Sequence, residues 1–258
     1  MVKFFEFIGA YVIGFVIELG RIMLMLWESI RWLFKKPFRF ELVFGQLEFI
    51  GVESMSIILI TGGFSGAVMA LESSYAFSMF EANAMIGSAV ALTIFRELGP
   101  VLTALMVAGR CGSSMAAEIG TMRVTEQIDA LTVMAVSPVQ YLFVPRLIAA
   151  TIMVPMLSVV FDFVSIVGAG IVSSTLLDVS WSVFLDNIVN YVDMKDFTNG
   201  LIKAVFFGLI IALVGCYKGY TTTGGAQGVG RATTASVVIS SVAVLISDYF
   251  LTAILFAK

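Results

Sequence analysis

The chain has 258 residues, 59% hydrophobic and 13% charged, with 22 Phe, a formal net charge of −3 and a mean hydropathy of +1.01. That is too little polar surface for a soluble domain, so the natural unit is the membrane span of about 20 apolar residues. The weak, dispersed charge argues against a nucleic-acid partner, and two cysteines (Cys111, Cys216) with no histidine argue against zinc, haem or Ser-His-Asp chemistry.

Residues 4–34 are apolar but interrupted by Glu6, Glu18, Arg21, Glu28 and Arg31, which leaves no run long enough to span. The segment reads as an amphipathic helix lying in the membrane interface. A signal peptide with 7–17 as its apolar region is the alternative, but its basic leader is weak and no small-x-small cleavage site follows. Lys35, Lys36, Pro37 and Arg39 then end the helix in a basic knot suited to an anionic leaflet. Residues 1–48 thus form an N-terminal helix and linker, and 49–258 a membrane domain.

Span one, 54–71, carries no charge, and its Gly62-x-x-x-Gly66 lets another helix approach closely. Span two, 84–108, contains Arg96-Glu-Leu-Gly-Pro100 near its middle. Charged side chains at hydrocarbon depth cost at least ~2.5–3.5 kcal/mol each, and a helix break at Gly99-Pro100 frees backbone groups that need other partners. A wet cavity, a partner helix or a polar head group must offset both. Span three, 147–177, is longer than the bilayer core needs, with Pro155 able to kink it and Asp162 inside; span four, 201–217, carries Lys203, and span five, 232–256, carries Asp248. Arg96 either pairs with Glu97 or Asp248 to hold the bundle or faces a wet cavity, and Asp162, Lys203 and Asp248 leave the same choice open.

Basic residues set the orientation. Six lie in the N-terminal segment, Arg110, Arg123 and Arg146 follow span two, and Lys218 and Arg231 lie between spans four and five. The 72–83 loop has none, and 178–199 has Asp178, Asp186, Asp193 and Asp196 against Lys195. The positive-inside rule then places the N-terminus in the cytoplasm and the C-terminus outside. Between spans two and three, residues 117–131 read as a helix capped by Thr121, with Val124, Ile128 and Leu131 on one face and Arg123, Glu126 and Asp129 on the other. Such a helix either lies on the membrane and its own spans or docks a cytosolic partner. Gly224-Gly-Ala-Gln-Gly228-Val-Gly230 lacks the Gly-Lys-Ser/Thr ending of a phosphate loop, so any use of ATP falls to another chain.

Residues 96–131, RELGPVLTALMVAGRCGSSMAAEIGTMRVTEQIDAL, closely resemble the signature of the MlaE family of permeases, and the likeness runs from 48 to 256 through Ala135-Val-Ser-Pro138 and Arg231-Ala-Thr-Thr234. The resemblance implies an all-α integral membrane protein: five transmembrane helices after an N-terminal interfacial helix, with a cytoplasmic coupling helix at 117–131. It implies a transport subunit rather than an enzyme, in the inner membrane of a Gram-negative bacterium. Such a permease moves phospholipids between that membrane and a periplasmic MCE-domain ring, which maintains outer-membrane lipid asymmetry. The expected partners are a second copy of the chain, a cytosolic ABC ATPase dimer that holds the ATP and Mg, the MCE ring, and a STAS-domain protein; this chain itself binds no cofactor. A lipid cavity at the dimer interface, lined mainly by spans one, two and five, should lie near Glu97 and Leu98, with Met69, Tyr75 and Phe77 as wall residues. Glu118, Arg123, Val124, Glu126, Ile128 and Asp129 should face the ATPase.

Two other readings stay open. Arg96, Glu97, Asp162, Lys203 and Asp248 could form the relay of an ion-coupled secondary transporter, although no internal repeat is evident and the 117–131 helix would have no role. A structural anchor for other subunits is the third, and it predicts that removing the charge at Glu97 leaves the complex active.

Overall fold

The computed structural model describes the backbone of residues 2–33, 35, 39–80 and 82–256, and the side chains of these except 2–8, 10–12, 15, 84 and 256. The side chain of Glu6, and Lys36 and Pro37 of the basic knot, lie outside the described residues. Every element among them is helical. Helix α1 (Val2–Leu33) comes first, and five stretches long and apolar enough to cross a membrane follow: Phe40–Ser78, Ile86–Val124, Val139–Leu176, Met194–Tyr220 and Gly225–Leu255.

The first stretch joins α2 (Phe40–Gly51) to α3 (Met55–Ser78) through a 3-10 turn. The second runs through α4 (Ile86–Thr93), a π-turn at Ile94–Leu98, α5 (Gly99–Val107), a second π-turn at Ala108–Gly112, and α6 (Ser113–Val124). A short α7 (Gln127–Val133) leads to a third π-turn, Val139–Phe143, and into α8 (Val144–Leu176). Then come α9 (Trp181–Tyr191), α10 (Met194–Tyr220) and α11 (Gly225–Phe256).

Lipid tails are as apolar as Leu, so helices here associate through close packing and interhelical hydrogen bonds rather than by escape from water. The α3–α8 seam is built in that way. A Cβ on Gly66 would collide with the Ser165 carbonyl and one on Gly168 with the Gly63 carbonyl, while Ser165 Oγ donates to the Gly62 carbonyl at 2.8 Å. The Gly62-x-x-x-Gly66 face is therefore filled by α8 of the same chain and offers no surface to a second copy. On α10, Gly208 meets the Ala150 carbonyl of α8, and Gly215 lies against the Gly112 carbonyl, which also accepts from Ser236 Oγ of α11 at 3.0 Å. Phe143, Phe161, Phe207 and Met115 fill the space between these close approaches. Helix α11 is the least covered span, with Val238, Val242, Ile246, Tyr249 and Ile254 exposed along its length.

Two differences from the sequence reading bear on function. The 178–199 connection folds as α9, with Ser180 Oγ accepting from the Val183 N–H and Phe184 fully buried, and α10 starts early at an Asp193–Asp196 capping box. Thr121 is not a helix cap. It lies inside α6, its hydroxyl donating to the Ala117 carbonyl at 2.8 Å, and the expected single helix is broken at Glu126, whose φ of 60° turns the chain into α7. An N-cap residue has non-helical backbone, and Thr121 stands three-quarters of the way along a continuous helix. An ion pair between Arg123 and Asp129 at 2.6 Å closes the turn, and buried Ile128 pins α7 down.

Candidate functional site

At the first π-turn the Gly99 N–H reaches back to the Ile94 carbonyl, and Pro100 has no N–H to offer the Arg96 carbonyl four residues before it. Lys203 Nζ donates to that carbonyl at 2.9 Å. The break expected at Gly99-Pro100 thus takes the form of a π-turn patched by a side chain from α10, and the helix continues. Gly200, one turn before Lys203, makes this possible: its bare Cα lets α10 close on the Phe95 carbonyl, where a Cβ would collide.

The same ammonium, fully buried, pairs with Glu97 Oε2 at 2.7 Å and Asp248 Oδ1 at 2.9 Å. Thr252, one turn beyond Asp248, donates to Glu97 Oε1 at 3.3 Å, and Arg96 Nε pairs with Asp196 Oδ1 at 3.2 Å. Two cations therefore meet three carboxylates across span two, α10 and α11. Lys203 is fully buried behind Glu97, while Arg96 and Glu97 face an opening of about 360 Å³ lined also by Leu92, Thr93 and Thr252. With Arg96 and Glu97 both on its wall, the opening suits a head group that carries both signs of charge.

Four of the five expected network residues are gathered here, but the Arg96 carboxylate partner is Asp196 rather than Glu97 or Asp248. Asp196 stands on the first turn of α10, facing the span-two turn. Asp162 stands apart: its Oδ1 presses on the Cα of Gly99, and no described residue hydrogen-bonds it. A methyl at residue 99 would collide with that carboxyl, so Gly99→Ala is expected to cost about 1–3 kcal/mol. Asp162→Ala in the same chain should recover most of the loss, as read from melting temperatures in detergent, and no recovery would mean that the strain lies elsewhere.

Leu98 is half-buried beside the turn but does not line the opening. Nor do Met69 and Phe77, which pack on a cluster formed by Ala70, Ile86, Val90, Ile94, Ala169 and Phe184 near α9, or Tyr75, which is exposed. At the opposite end of the bundle Glu118 pairs with Arg146 at 2.7 Å, and Arg146, 4% exposed, donates to the Leu142 carbonyl. Glu118 and Arg146 tie α6 to α8, and Arg123 and Asp129 tie α6 to α7. Val124 is exposed and Glu126 occupies the turn, whereas Val133 and Met134 are the most open apolar side chains beside α7.

Sequence reasoning missed Asp196, Thr252 and the clamp on the second π-turn, where Arg110 donates to the Phe49 carbonyl at 2.8 Å and Ser54 Oγ at 2.7 Å and pairs with Glu53. Thr252 could have been found by its position four residues after Asp248 on one helix face.

The Permease MlaE family model matches residues 43–254. A probable ABC transporter permease protein of Rickettsia prowazekii is 43% identical over 256 residues, covering 99% of each chain. The intermembrane phospholipid transport system permease protein MlaE of Haemophilus influenzae is 39% identical over 260 residues, covering 99% of this chain and 98% of its own. The chloroplastic protein trigalactosyldiacylglycerol 1 of Arabidopsis thaliana is 38% identical over 211 residues, 82% of this chain and 60% of that one. With a match that takes in all five spans and the ion network between them, the chain belongs to the MlaE permease family.

Proposed function

We propose that the chain is the membrane subunit of an ABC transporter that moves phospholipid between the inner membrane and a periplasmic MCE-domain carrier, and so maintains the lipid asymmetry of the outer membrane. The observation that carries this reading is the opening at Arg96 and Glu97, a charged recess set in the apolar spans and backed by a buried ammonium. The printed name of the Haemophilus relative supports phospholipid as the cargo.

The N-terminus is cytoplasmic and the C-terminus periplasmic. Arg123, Arg146, Lys218 and Arg231 cluster at the α6–α7 end, and Asp178, Asp186, Asp193 and Asp196 at the α9 end, which supports this orientation. The bare apolar face of α11 suits a second copy of the chain, with the lipid cavity formed between the two. ATP and Mg reside in a separate ATPase dimer docked on α7, with the MCE ring above and a STAS-domain protein on the ATPase. Closure of the ATPases pushes on α7. The Arg123–Asp129 pair passes the movement to α6, and the Glu118–Arg146 pair passes it on to α8. Lipid must bind the two resulting states with different affinity, since equal binding shifts nothing.

The test is purification of the tagged chain in mild detergent with mass spectrometry of the accompanying proteins and lipids. Wild type should bring an ATPase and phospholipid. Val133→Asp, at a side chain 88% exposed, should weaken ATPase retention roughly thirtyfold, the loss of about 2 kcal/mol typical of a contact hot spot, while lipid stays bound. Wild type arriving with no ATPase would refute the ABC reading and turn attention to an ion-coupled carrier.

A further inference from the structure

We propose that the cleft between the end of α1 and the start of α8 binds one anionic phospholipid of the cytoplasmic leaflet, at a site separate from the opening at Glu97. An apolar groove of about 250 Å³ runs there between Leu26, Ile30 and Leu33 of α1, Leu147 and Ile148 of α8, and Leu209 of α10. The two hydroxyls in its wall are turned away, Ser29 Oγ donating to the Met25 carbonyl at 2.8 Å and Thr151 Oγ1 to the Leu147 carbonyl at 2.7 Å. Water inside would find no partners, whereas an acyl chain needs none.

At Val144 the groove meets a second recess that holds Trp32, Lys35, Arg39 and Gln140. Lys35 Nζ lies 4.4 Å from the centre of the Trp32 ring and the Arg39 guanidinium 4.9 Å from that of Tyr141, so aromatic faces hold both cations in place. Gln140 Nε2 donates to the Lys35 carbonyl at 3.2 Å and fixes the backbone beneath. Among the described residues no carboxylate pairs with either cation. Two positive charges with no ion-pair partner among the described residues, at the mouth of an apolar slot and with Arg31 offsetting the nearby Glu28, match a phosphate head group with its tail, and the aromatic rings suit the interfacial depth. The orientation proposed above decides only which leaflet supplies the lipid.

The test is native mass spectrometry of the full chain, released from nanodiscs of phosphatidylcholine with and without phosphatidylglycerol. Wild type should retain phosphatidylglycerol in preference to phosphatidylcholine. Lys35→Gln with Arg39→Gln should weaken that retention about thirtyfold, about fivefold for each cation, and Lys35→Arg with Arg39→Lys should restore it. Ile148→Trp, which fills the slot and leaves the charges, should release the lipid as well. Retention unchanged in the double Gln variant, or unaffected by Ile148→Trp, would overturn the proposal, as would loss of the same lipid in Glu97→Gln. ATPase co-purification is read separately in each sample, so failure of this site and failure of the transport reading remain distinct.

Discussion

Lys203→Met is expected to destabilise the membrane bundle by about 3–5 kcal/mol, the cost of removing one partner from a buried ion pair. The ammonium is fully enclosed and holds three groups at once: the Glu97 carboxylate, the Asp248 carboxylate and the Arg96 carbonyl that Pro100 cannot serve. Without it the Glu97 and Asp248 carboxylates, two like charges, face one another between the first π-turn and α11, and a backbone acceptor is left in an apolar setting where nothing replaces it. Adding Glu97→Gln and Asp248→Asn should return most of the stability, because neutral amides do not repel and can bond one another. Phospholipid transport by the reconstituted complex should stay low in the triple variant, since the recess has lost its charge. Denaturant or thermal unfolding in detergent reads the first effect and a lipid-transfer assay the second. A Lys203→Met chain within about 0.5 kcal/mol of wild type would mean that the network does not hold the spans together.

Gly66→Val should be at least as damaging, at about 3 kcal/mol or more, through pure shape. Its Cβ would overlap the Ser165 carbonyl, and backbone cannot rotate aside as a side chain does. Helices α3 and α8 would have to part along a seam that also includes Gly62, Gly63 and Gly168, giving up the dispersion contacts that replace the hydrophobic effect in lipid. Gly45→Val is the control: that glycine of α2 has open space around it, and valine is the better helix former there. Equal melting temperatures for the two variants would dismiss the seam as a source of stability.

The spans were legible because a run of apolar residues is a local property, and the five long helices arise from it directly. Their ends were less so. A helix that leaves the lipid continues on polar residues without changing its backbone, so span two reaches Val124 and α10 begins at Met194. Helix α9 lay in a segment where four Asp and three Asn interrupt the apolar residues, although Ser180 before Trp181, Phe184 and Ile188 carried a cap and a helical period. The kink at Glu126 had no glycine or proline to announce it. Its left-handed backbone is imposed by contacts on both sides, the Arg123–Asp129 pair and the burial of Ile128. In the site, Arg96, Glu97, Lys203 and Asp248 stood out as charges where charge is costly. Their pairing could not be read, since Asp196 is a hundred residues from Arg96 and its capping role gave no hint of a second one.

The uneven division of the second stretch by its first π-turn has a mechanical consequence. At about 1.5 Å per residue the arm from Arg96 to Val124 measures ~42 Å, and the arm from Arg96 to Ile86 only ~15 Å. If the rod tilts as one body about Ile94–Leu98, the end near α7 travels about three times as far as the end near α9, and a force applied at the far tip is multiplied about threefold at the short arm. Lys203 and Thr252 grip the fulcrum itself, with Asp248 holding the lysine from behind, where displacement is smallest and force is greatest. A modest push far from the opening can thus rearrange short polar bonds there while barely shifting the backbone that carries them.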